Sequence, residues 1–244
     1  MKSCIFTIEK NHDLTERVFA LRLVGDTSGI ERPGQFAALS VPGFFLRRPF
    51  SVCDWDETGL SLVIEQVGEG TRHLRQMAPS TPVDLLCGLG NGFALDRAGE
   101  RPLLVGGGSG AAPMLGLARR LREQGCAPQI ILGFNSREDI LLLDDFYRIG
   151  LSPTVTTVNG SFGIRGFVTA AMDLPHSFFY ACGPEAMLRA VSETSPGDGQ
   201  MSFDARMGCG FGACMGCTRI TRSGPKRVCK DGPVFDKEEI VWDA

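Results

Sequence analysis

Histidine, tryptophan and tyrosine are scarce in this chain of 244 residues, which holds three, two and two of them. The histidines, His12, His73 and His176, stand far apart and form no metal-ligand pair, so histidine-rich zinc chemistry is not expected. An excess of positive charge is also missing: 25 Lys plus Arg against 28 Asp plus Glu leaves a net charge of -3. That balance supplies no broad cationic field for gripping nucleic acid. Nor is there a long apolar run. The longest charge-free stretch, residues 102–118, is 17 residues rich in Gly and Ala, short of the roughly 20 apolar residues of a membrane-spanning helix. Residues 1–9 offer no apolar segment of a secretory leader, so a cytoplasmic, reducing setting without a membrane partner is the expectation. With 43% hydrophobic and 22% charged residues, the composition is that of a globular protein able to bury a core.

Two residue types are plentiful. The chain has 31 Gly and 9 Cys, and an odd number of thiols without an export signal argues against a disulfide framework and for metal ligation or catalysis. Five cysteines are scattered, at Cys4, Cys53, Cys87, Cys126 and Cys182, and read as small buried hydrophobes. The other four follow the pattern Cys209-x4-Cys214-x2-Cys217-x11-Cys229. Three closely spaced cysteines with a distant fourth are the arrangement of plant-type [2Fe-2S] ferredoxins. Gly210, Gly212 and Gly216 lie in the loop where backbone must approach the sulfurs closely. A structural zinc site is the competitor, but zinc knuckles favour two C-x2-C pairs and only one is present. Residues 219–230 carry five basic and no acidic side chains. They could offset cluster charge or meet an acidic partner, or simply form a solvated hairpin face.

The pattern of the chain changes near residue 95. Before it, short β-forming runs at 17–24, 34–41 and 60–66 alternate with turn residues and suggest a small antiparallel barrel or sandwich. After it, a strand at 102–105, a glycine loop and a helix at 114–124 form a β-loop-α unit. Strands at 129–134, 154–158 and 178–182 and helices at 139–147 and 185–194 continue the alternation, which predicts parallel α/β architecture. Residues 195–200 read as a linker to the cysteine region. Gly106, Gly107, Gly108 and Gly110 form a loop that follows a strand and opens a helix, where backbone amides can receive a pyrophosphate. No acidic residue follows at the usual distance to take a ribose hydroxyl. Asn135-Ser136-Arg137 could contact a nucleotide, or Ser136 and Glu138 could merely cap the next helix. Cys182-Gly183-Pro184 ends a strand and starts a helix, with Pro184 suited to the first helical position.

The run Arg47-Arg48-Pro49-Phe50-Ser51-Val52 resembles the Arg-x-Tyr/Phe-Ser flavin motif of the ferredoxin-NADP reductase family. The resemblance gives Arg48 to a flavin pyrophosphate, Phe50 to its wall and Ser51 to the ring's N5, counts Pro49 among the flavin-binding residues, and has Ile64, Glu65 and Gln66 lining the flavin. Gly70 and Thr71 resemble the family's second phosphate loop. The glycine loop and Cys182-Gly183-Pro184 resemble its two nicotinamide-nucleotide signatures. Phe50 keeps the aromatic wall without a tyrosine hydroxyl, and Ser109 stands where relatives often carry an apolar residue. The implied fold class is α+β multi-domain, with an N-terminal antiparallel β-barrel for FAD over residues 1–97, a central parallel-sheet nucleotide domain over 98–197 and a small [2Fe-2S] module over 198–244.

That order of modules is similar to the electron-transfer subunits of class 1B dihydroorotate dehydrogenases, and the run from Arg227 to Asp236 matches their C-terminal pattern. The resemblance implies Cys209, Cys214, Cys217 and Cys229 as cluster ligands, FAD as a second cofactor and NAD+/NADH as substrate. It implies no catalytic acid or base in this chain. The implied partner is an FMN-containing dihydroorotate dehydrogenase catalytic subunit in a heterotetramer of two plus two, acting in pyrimidine biosynthesis. The related subunits of NADH-dependent ferredoxin-NADP oxidoreductases and sulfhydrogenases share all three modules and are the alternative.

Overall fold

A computed structural model describes residues 1–242. Strands β1 (Lys2–Asp13), β2 (Val18–Val24), β3 (Phe36–Leu39), β4 (Arg48–Trp55) and β5 (Gly59–Glu65) are followed by helix α1 (Glu69–Gln76) and β6 (Pro82–Leu89). They close into an antiparallel barrel in the order β1-β2-β5-β4-β3-β6. Period-two patterning explains its interior: Phe6 and Ile8, then Phe19, Leu21 and Leu23, then Leu60, Leu62 and Ile64 alternate inward and are fully buried. Closure leaves the barrel no open sheet edge.

The second region runs β7 (Leu103–Gly107), α2 (Ala111–Glu123), β8 (Gln129–Phe134), α3 (Leu143–Arg148), β9 (Thr154–Thr157), β10 (Ile164–Arg165), β11 (Phe179–Cys182), α4 (Glu185–Thr194) and β12 (Gly199–Ser202). A hairpin of β13 (Thr218–Thr221) and β14 (Gly224–Arg227) precedes β15 (Val234–Asp236). The sheet order is β10-β9-β8-β7-β11-β12-β15, parallel throughout except that β15 runs antiparallel to β12. Strand order reverses between β7 and β11, and in such sheets ligands bind outside the carboxyl ends of the strands at the reversal. One core joins α2 to Val18, Cys53 and Val63 of the barrel. Another, on the opposite face, joins Phe36, Ala38 and Leu89 of the barrel to Cys217, Val228 and Cys229.

Three local expectations change. Residues 195–200 are not a linker but the approach to β12: Ser195 and Gln200 are buried, and Gly199 lies so close to the Phe179 ring that an added Cβ would stand 2.2 Å from it. The sheet therefore continues across the expected boundary at 197/198. The helix expected at 139–147 begins only at Leu143, because the Asp139 carboxylate is bound by the Ser136 N–H (3.0 Å) and hydroxyl (2.9 Å), ending a short 3-10 turn, and Leu142 adopts a left-handed φ of 62°. Asp139, and not Glu138, completes that cap. Pro184 sits at the N-cap, one position before the first helical residue.

Candidate functional site

Arg48, Pro49, Phe50 and Ser51 open β4, where they pair with Leu39, Ala38, Ala37 and Phe36 of β3 and remain half-buried. The Arg48 guanidinium donates to the Leu46 carbonyl (2.7 Å) and lies 5.1 Å above the Phe44 ring, a cation–π distance. Its other neighbour is Gly70 in the first turn of α1, where a Cβ would stand 2.8 Å from Arg48 Nε. Fold closure thus brings the two flavin-motif segments into contact. The Thr71 hydroxyl accepts from the N–H groups of Val67 (3.0 Å) and Gly68 (3.1 Å) and donates to the Gly68 carbonyl, so it shapes the loop. The first helical hydrogen bond is donated by Arg72 to Gly68. The N–H groups of Glu69, Gly70 and Thr71 precede it at the positive end of the helix, beside a guanidinium, in an arrangement that suits a pyrophosphate. Ile64 points into the barrel core and so offers a flavin only its backbone. Glu65 is exposed, and Gln66 accepts from Arg75 (3.1 Å). Phe44, beneath Arg48, was missed; an aromatic just after a Pro-Gly turn and before the arginine motif was its only signal.

At the strand-order reversal the two nucleotide signatures touch. Gly106 is the register partner of Cys182. A Cβ on Gly110 would stand 2.2 Å from the Cys182 carbonyl oxygen, and one on Gly107 would meet Met187 Sδ at 2.4 Å and Pro184 Cδ at 3.2 Å. At Gly110, where the neighbour is backbone, only glycine allows this approach. Gly108, with φ of 54°, faces open space, and Gly183, with φ of 155°, turns the chain from β11 into α4. Burial pushes the Cys182 thiol up to about 12, so it is a neutral group at the mouth of this crevice. Nearby, the Arg137 N–H donates to Ser161 Oγ (2.8 Å), which holds that loop to the next strand's turn.

The four clustered cysteines are free and lie in two pairs. Burial raises the Cys209 thiol, but the N–H groups of Cys214, Phe211 and Ala213 and the Cys214 thiol outweigh it and bring Cys209 down to about 6. Ala213 and Cys214 donate to its sulfur at 3.2 and 3.4 Å. Cys229 is pushed up to about 12, first by burial and then by the adjacent Cys217 thiol. Its N–H donates to Cys217 Sγ (3.4 Å). Among the described residues no three His, Cys, Asp or Glu side chains form a ready group for a single metal ion. Two thiol pairs on a glycine cradle are instead a donor set that could hold a two-iron centre, and a Cβ on Gly208 or Gly216 would stand 3.3 or 3.6 Å from Cys214 Sγ, leaving little or no spare room there. The basic stretch is largely committed: Arg219 pairs with Glu185 (2.8 Å), Lys226 with Glu239, and Arg227 with Asp231 (3.0 Å). Of the scattered thiols, Cys53 and Cys87 are buried and Cys4, Cys126 and Cys182 half-buried.

An iron-sulfur cluster binding domain of dihydroorotate dehydrogenase B matches residues 204–241, and an oxidoreductase NAD-binding domain matches residues 104–193. The dihydroorotate dehydrogenase B (NAD+) electron transfer subunit of Geobacillus sp. (strain WCH70) is 37% identical over 99% of both chains. The chain belongs to this family of dihydroorotate dehydrogenase B electron transfer subunits. Its Clostridium perfringens relative is 35% identical over 96% of both chains. Among solved structures, an NADH-dependent reduced ferredoxin-NADP oxidoreductase, described for flavin-based electron bifurcation, superposes with a TM-score of 0.89 at 28% identity, over 98% of this chain and 91% of that one. Phthalate dioxygenase reductase shares the fold at 19% identity, with a TM-score of 0.67 over 79% of this chain and 64% of that one. The barrel, the nucleotide sheet and the cysteine region follow one another along the chain in the expected order. Among the described residues no helix is long and apolar enough to cross a membrane.

Proposed function

We propose that this chain takes electrons from the FMN-containing catalytic subunit of a dihydroorotate dehydrogenase B and delivers them to NAD+ in the cytoplasm, within a heterotetramer of two such chains and two catalytic subunits. Cys209, Cys214, Cys217 and Cys229 hold a [2Fe-2S] centre. Arg48 and the first-turn amides of α1 hold the FAD pyrophosphate, Pro49, Phe50 and Ser51 face the flavin ring, and the glycine loop with Cys182, Gly183 and Pro184 receives NAD+. The bound groups supply the change from single-electron transfer to two-electron hydride transfer. The protein residues bind, orient and exclude water, and none acts as acid or base on the dihydroorotate.

One observation carries this reading. Cys217 and Cys229 share a core with Ala38 and Leu89 of the barrel, and Ala38 is the register partner of Pro49 in the flavin motif. A cluster on those thiols is one strand from the flavin strand, which suits direct electron passage. The test is NAD+ reduction by dihydroorotate, using this chain with and without the catalytic subunit from the same organism. Activity only in the mixture supports the reading. Failure of the mixture while the chain still passes electrons from NADH to artificial acceptors moves the partner to a ferredoxin-linked subunit, as in the superposed oxidoreductase.

A further inference from the structure

The flavin strand and the nucleotide helix are locked together by groups that neither binding motif includes. At Cys53 the pairing of β4 with β5 slips, from Val52–Leu62 to Asp54–Ser61, so that β4 bulges. Bulges re-aim the side chains that follow them, and here Asp54 turns toward α2. Its carboxylate takes Arg119 on one oxygen (2.8 Å), and on the other Arg120 (3.3 Å) and the Trp55 N–H (2.9 Å). Arg120 also donates to the Trp55 carbonyl (2.8 Å) and stacks 3.9 Å from the centre of the Trp55 ring. The Asp54 side chain is 15% exposed and that of Arg120 19%, so this ion pair is poorly screened by solvent. Beside it α2 rests directly on the bulge: a Cβ on Gly116 would stand 2.5 Å from the Cys53 carbonyl oxygen.

We propose that this clamp sets the angle at which the nucleotide-binding crevice meets the flavin strand, making Asp54 a positioning residue for hydride transfer between NADH and FAD. The inference rests on the binding sites assigned under Proposed function. Ser51 is three residues from Asp54 along one strand, about 10 Å away at about 3.3 Å per residue. Ala111, where the glycine loop becomes α2, is eight residues from Arg119, about 12 Å at 1.5 Å per residue. Both binding motifs are thus lever arms hinged at the clamp. On a 12 Å arm a rotation of about 5° moves the tip by about 1 Å, a misplacement that can cost on the order of 100-fold in rate. In the step concerned the C4–H bond of NADH breaks and its hydride forms an N5–H bond on the flavin. NADH is oxidised and the flavin reduced by the same two electrons.

The test compares Asp54→Asn, Gly116→Ala and Arg120→Lys with the wild-type holoprotein. Flavin and iron content report folding, and steady-state reduction of ferricyanide by NADH gives kcat and KM. The long-wavelength charge-transfer absorbance on mixing with NADH reports the stacking of nicotinamide on flavin. Expected for Asp54→Asn and Gly116→Ala are wild-type flavin and iron content, KM within about threefold, kcat lower by about 10- to 100-fold and a weakened charge-transfer band, with Arg120→Lys intermediate. Wild-type kcat and an unchanged band in both Asp54→Asn and Gly116→Ala would overturn the proposal. Loss of flavin in both would also overturn it, because the clamp would then be holding the barrel and not the approach. If the wild-type holoprotein itself holds no FAD or does not oxidise NADH, the assigned function fails instead.

Discussion

The flavin motif lies on a strand paired on both sides within a closed barrel, whereas the cysteine loop, residues 208–217, contains no helix or strand. Arg48 and Gly70 are brought together by barrel strands that form from apolar alternation and by the polar helix α1, which reaches the barrel core through Leu74. The cysteine loop has little such support. Two of its N–H groups point at Cys209 Sγ, Gly210 and Gly212 take left-handed φ values of 78° and 90°, and Met215 does so at 62°. Its outside anchors include Arg227, which donates to the Gly212 carbonyl (2.9 Å), and the shared core beneath Cys217. The expectation is that a flavin site built this way forms before its ligand arrives, while a cysteine loop built this way is completed by a bound metal.

The sharpest way to break that contrast is Cys214→Ser. Cys214 is exposed, so the change removes a ligand without emptying a core. The expected outcome is complete loss of the [2Fe-2S] absorbance and of the electron paramagnetic resonance signal after reduction, with FAD still bound. Loss of both groups together would mean that the two sites are not independent. Arg48→Ala is the converse. Removing a charge-assisted hydrogen bond costs about 1.5–3 kcal/mol, so FAD should bind roughly 10- to 100-fold more weakly in a flavin-release titration while the iron content stays unchanged. Asn91→Ala is the mildest, and tests how far the barrel steadies the segment after the last cysteine. Asn91 donates to the carbonyls of Asp231 (3.2 Å) and Val234 (2.8 Å) and accepts from the Val234 N–H (3.1 Å). Losing these should cost about 1–3 kcal/mol, read as a fall of several degrees in the thermal midpoint of the apoprotein. No shift would mean that this segment is held by the cluster alone.

Much of this was legible from residue order because it depends on local pattern. The helix expected at 185–194 is α4, and the strand expected at 129–134 is β8. Apolar alternation outlined the barrel, and the cysteine spacing announced its chemistry without a fold. Other features depend on partners distant in sequence. Asp54, Arg119 and Arg120 look like ordinary surface charges until a bulge and Gly116 bring β4 against α2. Residues 195–200 have the composition of a turn, yet Gly199 is there to pass the Phe179 ring. Ile64 lies within a run expected to line the flavin, and strand parity turns its side chain into the barrel.

The cluster-bearing segment leaves the nucleotide sheet after Ser202 and rejoins it at Val234, and these two residues are register partners. Everything between them is an excursion from a single antiparallel pairing. Its two ends meet side by side, so a short hairpin joining β12 to β15 would close the sheet without it. The cysteine-bearing portion is therefore, topologically, a single insertion between two paired strands, anchored at both ends by the nucleotide sheet.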